Sequence, residues 1–298
     1  VNARVAALWL LLWLAFGRDA NAQAGAAFDQ QRAFRDLQRQ CAFGPRVPGS
    51  EAHELCSRWL ADQLSACTRH VIRQSFTATA RGKQLRLTNL VAVFNPQGSE
   101  HVLLCAHWDS RPVADRDPAP ASRARPVPGA NDGASGVAVL LEIARALKRR
   151  PPRQRVTIAL FDGEDYGAAT DEMLLGSREF ARRFSGPPVS WAALLDMVGD
   201  RELRLPVEQH SQRLAAQVVD RIWSAAARVG STAFVRERGP GIVDDHLPLL
   251  AKGIPCVDVI DFDYPYWHTA SDTPDKCSPA SLGQVGRAVL EAITYRVS

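Results

Sequence analysis

The spacing of apolar residues along this chain changes period many times. Residues 28–41 carry apolar positions at helical spacing among Arg, Asp and Gln, which predicts an amphipathic helix. Residues 44–50 (GPRVPGS) interrupt it with two prolines and two glycines. Ser50, with Glu51 and Glu54 just after it, predicts the start of a second helix running to about residue 67. Three strand-like runs follow, at 71–79, 85–94 and 102–106, with Arg81-Gly82 predicting a hairpin between the first two. Residues 137–149 read as a strong helix and 174–184 as another, while 212–229 read as one long helix. Apolar runs at 156–161, 191–197 and 256–260 predict buried strands, and a final helix spans about 281–296. Strands alternating with helices predict an α/β fold. With no internal repeat and no clear linker after residue 25, one domain is expected over 25–298.

The apolar runs share a feature at their carboxyl ends. The run 156–161 stops abruptly at Asp162-Gly163-Glu164-Asp165, and the run 102–106 stops at His107-Trp108-Asp109. Asp196 closes the next run, and His268 follows the last strand in the aromatic and acidic stretch 261–275 (DFDYPYWHTASDTPD). Asp132 sits in the glycine-rich segment 129–136 (GANDGASG) that opens a helix. Open α/β sheets build their sites at the carboxyl ends of strands. Two histidines with several carboxylates suit zinc with one coordination position left open for catalysis. A single buried Asp or His is an ordinary satisfied core group or cap, and Asp162 reads as such a cap; the repetition at four strand ends is what signals a site. The glycine-rich segment matches neither G-x-G-x-x-G nor the P-loop, and Asp132 would repel phosphate, so nucleotide binding is not expected. The long unpatterned segment 111–128 is the kind of loop that carries function.

Charge and cysteines narrow the picture. Arg4, a twelve-residue apolar run at 5–16 and Ala22-Gln23-Ala24 have the form of a signal peptide spanning 1–24, too short to be a membrane span. Its loss removes Arg4, Arg18 and Asp19 and lowers the net charge only from +4 to +3. Lys148-Arg149-Arg150 lies where a helix ends, a position that favours cations, so no nucleic-acid partner is expected. The chain is then secreted or periplasmic, without stable membrane insertion after cleavage. Six cysteines in an exported chain allow disulfides in 15 full pairings, and no C-x-x-C pair suggests a cysteine zinc site.

The ordered set A-H-W-D-S, G-A-N-D-G-A-S-G, F-D-G-E-D, L-L-D-M-V-G-D, D-D-H and Y-W-H-T-A-S-D-T resembles the M28 family of zinc aminopeptidases. Within it, the chain is most similar to the glutaminyl cyclases (glutaminyl-peptide cyclotransferases), especially bacterial ones. The resemblance covers about residue 44 to the end. It implies a single α/β domain with a central mixed, mostly parallel sheet and helices on both faces. It implies Asp132, Asp165 and His268 as zinc ligands and Glu164 as general acid/base. Asp196 and Asp244 would form a catalytic carboxylate network, and His107 with Asp196 would complete a second metal site in a two-zinc aminopeptidase. One zinc is expected for a cyclase and two for an aminopeptidase. The implied substrates are peptides or proteins with an amino-terminal glutamine, converted to pyroglutamate with release of ammonia. The acid at 244 favours this over the aminopeptidase alternative, where S-D-H is common. A non-catalytic secreted binding module is a third reading. Trp267, with Tyr264 and Tyr266, is expected to wall the substrate pocket. Two departures from the animal enzymes stand out: Glu164-Asp165 replaces Glu-Glu, and the tryptophan that follows that motif in them has no clear match here.

Overall fold

A computed structural model describes residues 28–294. The signal peptide expected at 1–24 lies outside these residues. The alternation in the strands explains how the layers form. In β3 (His101–His107), Val102, Leu104 and Ala106 enter the larger hydrophobic core, while Leu103 and Cys105 enter the smaller one on the opposite face. In β4 (Arg155–Phe161) Val156, Ile158 and Leu160 face the first core and Ala159 and Phe161 the second. β5 (Trp191–Asp196) divides in the same way, as Trp191, Ala193 and Leu195 against Ala192 and Leu194. Strand side chains alternate between faces, so strands apolar at every position are covered on both sides.

The strands β1 (Val71–Ala80), β2 (Lys83–Phe94) and β8 (Cys256–Ile260) complete a six-stranded sheet in the order β1-β2-β4-β3-β5-β8. The β1–β2 hairpin turns at Arg81-Gly82, both with positive φ, and β2 pairs antiparallel with β4. From β4 to β8 all pairings are parallel. The sheet is therefore mixed and mostly parallel, in agreement with the expectation.

On one face lie α1 (Gln30–Ala42), α2 (Glu51–Ser65), α3 (Ala134–Arg149), α6 (Ala216–Arg228) and α8 (Pro279–Thr294), packed into the larger core. Ser50 caps α2 by accepting from the His53 N–H at 3.2 Å. On the other face lie α4 (Leu175–Arg183) and α7 (His246–Ala251), packed against the smaller core. The expected long helix at 212–229 is instead two helices. α5 (Gln209–Leu214) is capped by the Glu208 carboxylate and packs on β8, and the chain leaves helical geometry at buried Ala215 (φ −142, ψ 38) before α6 begins. Apolar residues at helical spacing run back from α6 through Ala215 to Leu214 and hid this break, although α5 buries only Ser211 and leaves Leu214 exposed. Two short strands, β6 (Leu205–Val207) and β7 (Phe234–Arg238), pair parallel in a separate ribbon. All six cysteines are free thiols. Among the described residues no helix is long and apolar enough to cross a membrane.

Candidate metal and catalytic site

The parallel strands deliver their carboxyl ends to one edge, and the chemistry collects there. His107 is the last residue of β3, and Asp196 the last of β5. The turn Asp162–Asp165 follows β4, and His268 arrives on the loop after β8. Asp132 precedes α3, where Gly133 adopts φ +92 and a side chain would collide with the Asp109 carbonyl at 2.8 Å. Gly136, one turn on, packs so closely that a Cβ would lie 2.0 Å from the Leu195 carbonyl oxygen. These glycines let the helix start seat Asp132 against β3 and β5.

Two ligand groups result. Asp132, Asp165 and His268 bring one donor atom each within 4.8 Å of one another, and so do His107, Asp132 and Asp196. His268 Nε2 lies 3.3 Å from Asp165 Oδ1 and 3.6 Å from Asp132 Oδ2. His107 Nε2 lies 3.1 Å from Asp132 Oδ1 and 3.2 Å from Asp196 Oδ1. Asp132 thus stands between the two groups. A third group, Asp244, His246 and Asp258, lies deeper.

The first group fits a zinc ion. Its members are buried, and Asp132 Oδ2 and Asp165 Oδ2 have no hydrogen-bond partner. Unpartnered buried carboxylate oxygens are costly, and a cation between them removes that cost. One His and two carboxylates leave the fourth position that a catalytic zinc needs. The supporting shell is in place as well. His268 Nδ1 lies 3.5 Å from Asp115 Oδ1, and Arg111 donates to Asp165 Oδ1 at 2.6 Å and to both oxygens of Asp115. Such partners orient metal-binding side chains. Asp115 and Arg111 belong to the long loop after β3, which the Arg116 N–H ties to the His268 carbonyl at 3.2 Å. His268 itself adopts φ 55, unusual for a residue with a side chain.

Glu164 lies beside this group. The backbone N–H groups of Glu164 and Asp165 both donate to Asp109, at 3.1 and 3.3 Å, which fixes the turn. Burial, then the neighbouring charges of Asp165, Asp244 and Asp245, push the Glu164 carboxyl well above the ordinary carboxylate range. Asp244 is pushed up to about 7 by burial and by Asp196. A carboxylic acid tuned toward neutrality can both take and give a proton.

One cavity of about 50 Å³ is lined by Asp132, Glu164, Asp165, Asp196, Asp244 and His268 on its polar side. By the measure of ~10–15 Å³ per water, it admits a few atoms beyond a solvent molecule and no bulky group. Its apolar rim includes Met173, Ile242, Val243, Phe262 and Trp267. Trp267 also stacks on the His268 ring at 4.0 Å between centroids. Tyr264 and Tyr266, expected beside it, are not among the lining residues. Tyr264 is buried and donates its hydroxyl to Asp272 at 2.8 Å, because Asp272 also accepts from the Asn131 and Asp132 N–H groups and so anchors the ligand loop. Met173 and Val243 escaped sequence reasoning. Asp162, read as structural, accepts from the Thr88 N–H at 2.6 Å and pairs with His53 at 2.8 Å. His53 carried no local signal, while Arg111 stands in the unpatterned loop 111–128 and Asp272 in the Y-W-H-T-A-S-D-T stretch, neither with a role legible there. Their partners are 109, 54 and 140 residues away in sequence.

The profile of peptidase family M28 matches residues 89–293. A glutaminyl-peptide cyclotransferase-like protein of Bos taurus is 26% identical over 278 residues, covering 81% of this chain and 70% of that protein. The crystal structure of Bacteroides thetaiotaomicron glutaminyl cyclase bound to N-acetylhistamine is 35% identical, with a TM-score of 0.87 over 90% of this chain and 98% of that one. A Zn-dependent exopeptidase from Parabacteroides distasonis is 38% identical, with a TM-score of 0.88 over 90% of this chain and 99% of that one.

Proposed function

The chain belongs to peptidase family M28, and we propose that it works as a zinc-dependent glutaminyl-peptide cyclotransferase. It converts an amino-terminal glutamine to pyroglutamate and releases ammonia. The observation that carries this reading is the buried acid pair: Glu164 and Asp244 line the same small cavity as the Asp132, Asp165 and His268 cluster. Similarity to proteins bearing the cyclase name supports it. The apolar run at 5–16 and the small residues at 22 and 24 support export of residues 25–298 as the working enzyme.

Asp132, Asp165 and His268 would hold one zinc ion, which when bound polarises the side-chain amide carbonyl of the glutamine. The small cavity would receive the amide end of the glutamine, with Trp267 and Phe262 on the rim where the rest of the residue would lie. Glu164 accepts a proton from the α-amino nitrogen, which attacks the side-chain carbonyl carbon of the same residue. A new C–N bond forms and the bond to the amide nitrogen breaks. Glu164 returns its proton to that nitrogen, and ammonia leaves. Because nucleophile and electrophile belong to one residue, the protein's contribution is orientation and proton transfer. Burial and the charges of Asp165, Asp244 and Asp245 keep Glu164 protonated enough to shuttle.

A second reading, a two-zinc aminopeptidase, is favoured by one observation. His107, Asp132 and Asp196 also approach within metal-binding distance. Metal content separates the two. Purified enzyme with one zinc per chain, and a Glu164→Gln variant that keeps this zinc but loses turnover of glutaminyl peptides, fit the cyclase. Two zinc ions per chain with release of free amino acids from leucyl peptides overturns it.

A further inference from the structure

Beyond the catalytic cavity runs a basic groove that the reaction itself does not need. It has a volume of about 590 Å³ and is lined by Val207, Gln209, Gln212, Arg213, Glu237 and two further arginines of β7, Arg236 and Arg238. The charges in it are unequally paired. Arg236 meets Asp220 at 2.7 Å, and Glu237 is held by Arg204. Arg213 is hydrogen-bonded to the His210 ring, and among the described residues neither Arg213 nor Arg238 pairs with a carboxylate. The groove therefore presents two cations with no carboxylate of their own, in a wall with a single apolar residue.

The groove connects physically to the site. Gly239 donates to the Val207 carbonyl at 2.7 Å, Gln209 to the Pro240 carbonyl at 3.0 Å, and Ile242 to the Glu208 carboxylate at 3.0 Å. The segment 238–242 is thus laid alongside 207–209 and ends at Ile242, on the rim of the catalytic cavity. A narrow cleft whose lining includes Glu208, Asp261, Asp263, Pro240, Ile242 and Phe262 occupies the interval, so acidic residues find no cation there. Arg238 lies four positions before Ile242, which at ~3.3–3.6 Å per residue spans at most about 14 Å. An extended peptide whose first residue occupies the cavity reaches that far with about its fifth residue.

We infer that this groove is a subsite for acidic residues of the substrate peptide, about four to six positions after the glutamine. The inference rests on the cyclotransferase reading for where the peptide begins. Its charge logic depends on position. The catalytic cavity is itself lined by five carboxylates, so an acidic residue next to the glutamine gains nothing there. The same residue placed at the groove meets Arg213 and Arg238. Exposed ion pairs contribute modestly each and are screened by salt. Two of them together correspond to about a two- to thirty-fold change in affinity at low salt.

The test compares glutaminyl peptides of equal length that carry two glutamates at positions two and three, two glutamates at positions five and six, or none. KM and kcat are measured at low salt and at about 0.5 M salt, where the Debye length is a few ångströms. In parallel, anisotropy of the same peptides with a carboxyl-terminal dye reports binding to Glu164→Gln enzyme, so that the groove is tested even if turnover is absent. The expected result is a lower KM and tighter binding for the position-five-and-six peptide alone, with kcat unchanged and the preference gone at high salt. The double variant Arg213→Glu, Arg238→Glu reverses the preference and leaves the uncharged peptide unaffected. Equal binding of the three peptides at low salt, or a preference that persists in the double variant, overturns the inference. Turnover that fails while charge-selective binding persists counts against the cyclotransferase reading alone.

Discussion

Replacing Glu208 by glutamine should remove a pH-dependent part of the enzyme's stability. This carboxylate is buried, with 1% of its side chain exposed. It accepts from the N–H groups of His210 (2.8 Å), Ser211 (2.6 Å) and Ile242 (3.0 Å) and from the Ser211 hydroxyl (2.7 Å). His246 Nε2 lies 3.4 Å away. Burial opposes the charge, but His246 and these donors outweigh it and lower the carboxyl from 4.5 to about 2. At ~1.4 kcal/mol per pH unit, the lowering corresponds to about 3 kcal/mol. Because the folded-state value is depressed, this contribution is fully present above pH about 4.5 and is lost as pH falls toward about 2. Glutamine keeps the shape but turns an N–H₂ toward donors. Denaturant unfolding of wild type and Glu208→Gln, both stripped of metal, should therefore differ by about 3 kcal/mol at pH 7, and the difference should shrink steadily below pH 4.5. A difference that is absent at pH 7, or that stays constant down to pH 2.5, refutes the reasoning. Since Glu208 also holds the Ile242 N–H, the variant should also loosen the rim of the catalytic cavity and raise KM.

Other consequences are simpler to check. Arg111→Met removes the donor that orients Asp165 and Asp115, so zinc affinity measured by chelator competition should fall about 10- to 100-fold while the fold persists. Leu104→Ala, in the middle of β3 and fully buried, should cost about 2–5 kcal/mol in denaturant unfolding without changing the metal-binding residues. Removal of metal by a chelator should abolish turnover, and added zinc should restore it. Glu164→Gln should lower kcat by about 10²- to 10⁴-fold, the range of general acid–base catalysis, with metal content unchanged.

Much of this architecture could be read before any coordinates, and the reasons are local. The runs ending at His107, Phe161 and Asp196 alternate or saturate with apolar residues, and each stops at a polar group, so strand and site residue came together in one pattern. The Ser50 cap and the Arg81-Gly82 turn have fixed local chemistry and were equally legible. What stayed hidden depends on distant partners. Ala215 breaks a helix that periodicity joined, because α5 turns to pack on β8 while α6 packs on α8. The ribbon of β6 and β7 has three and five residues and too little pattern to stand out. Arg111 opens the unpatterned loop 111–128, and only the fold brings it to Asp165. Tyr264 lay within a stretch that suggested a pocket wall, yet its hydroxyl is needed by Asp272 beneath the ligand loop.

The central claim is that this active site cyclises rather than hydrolyses, and mass analysis of the product tests it directly. A glutaminyl peptide and its leucyl counterpart are incubated with zinc-loaded enzyme, and the peptide masses are followed with free ammonia and free amino acid. The account predicts that the glutaminyl peptide loses the mass of one ammonia, keeps every residue and releases ammonia in equal amount, while the leucyl peptide is untouched. Shortening of either peptide by its first residue, with that amino acid appearing free, contradicts it.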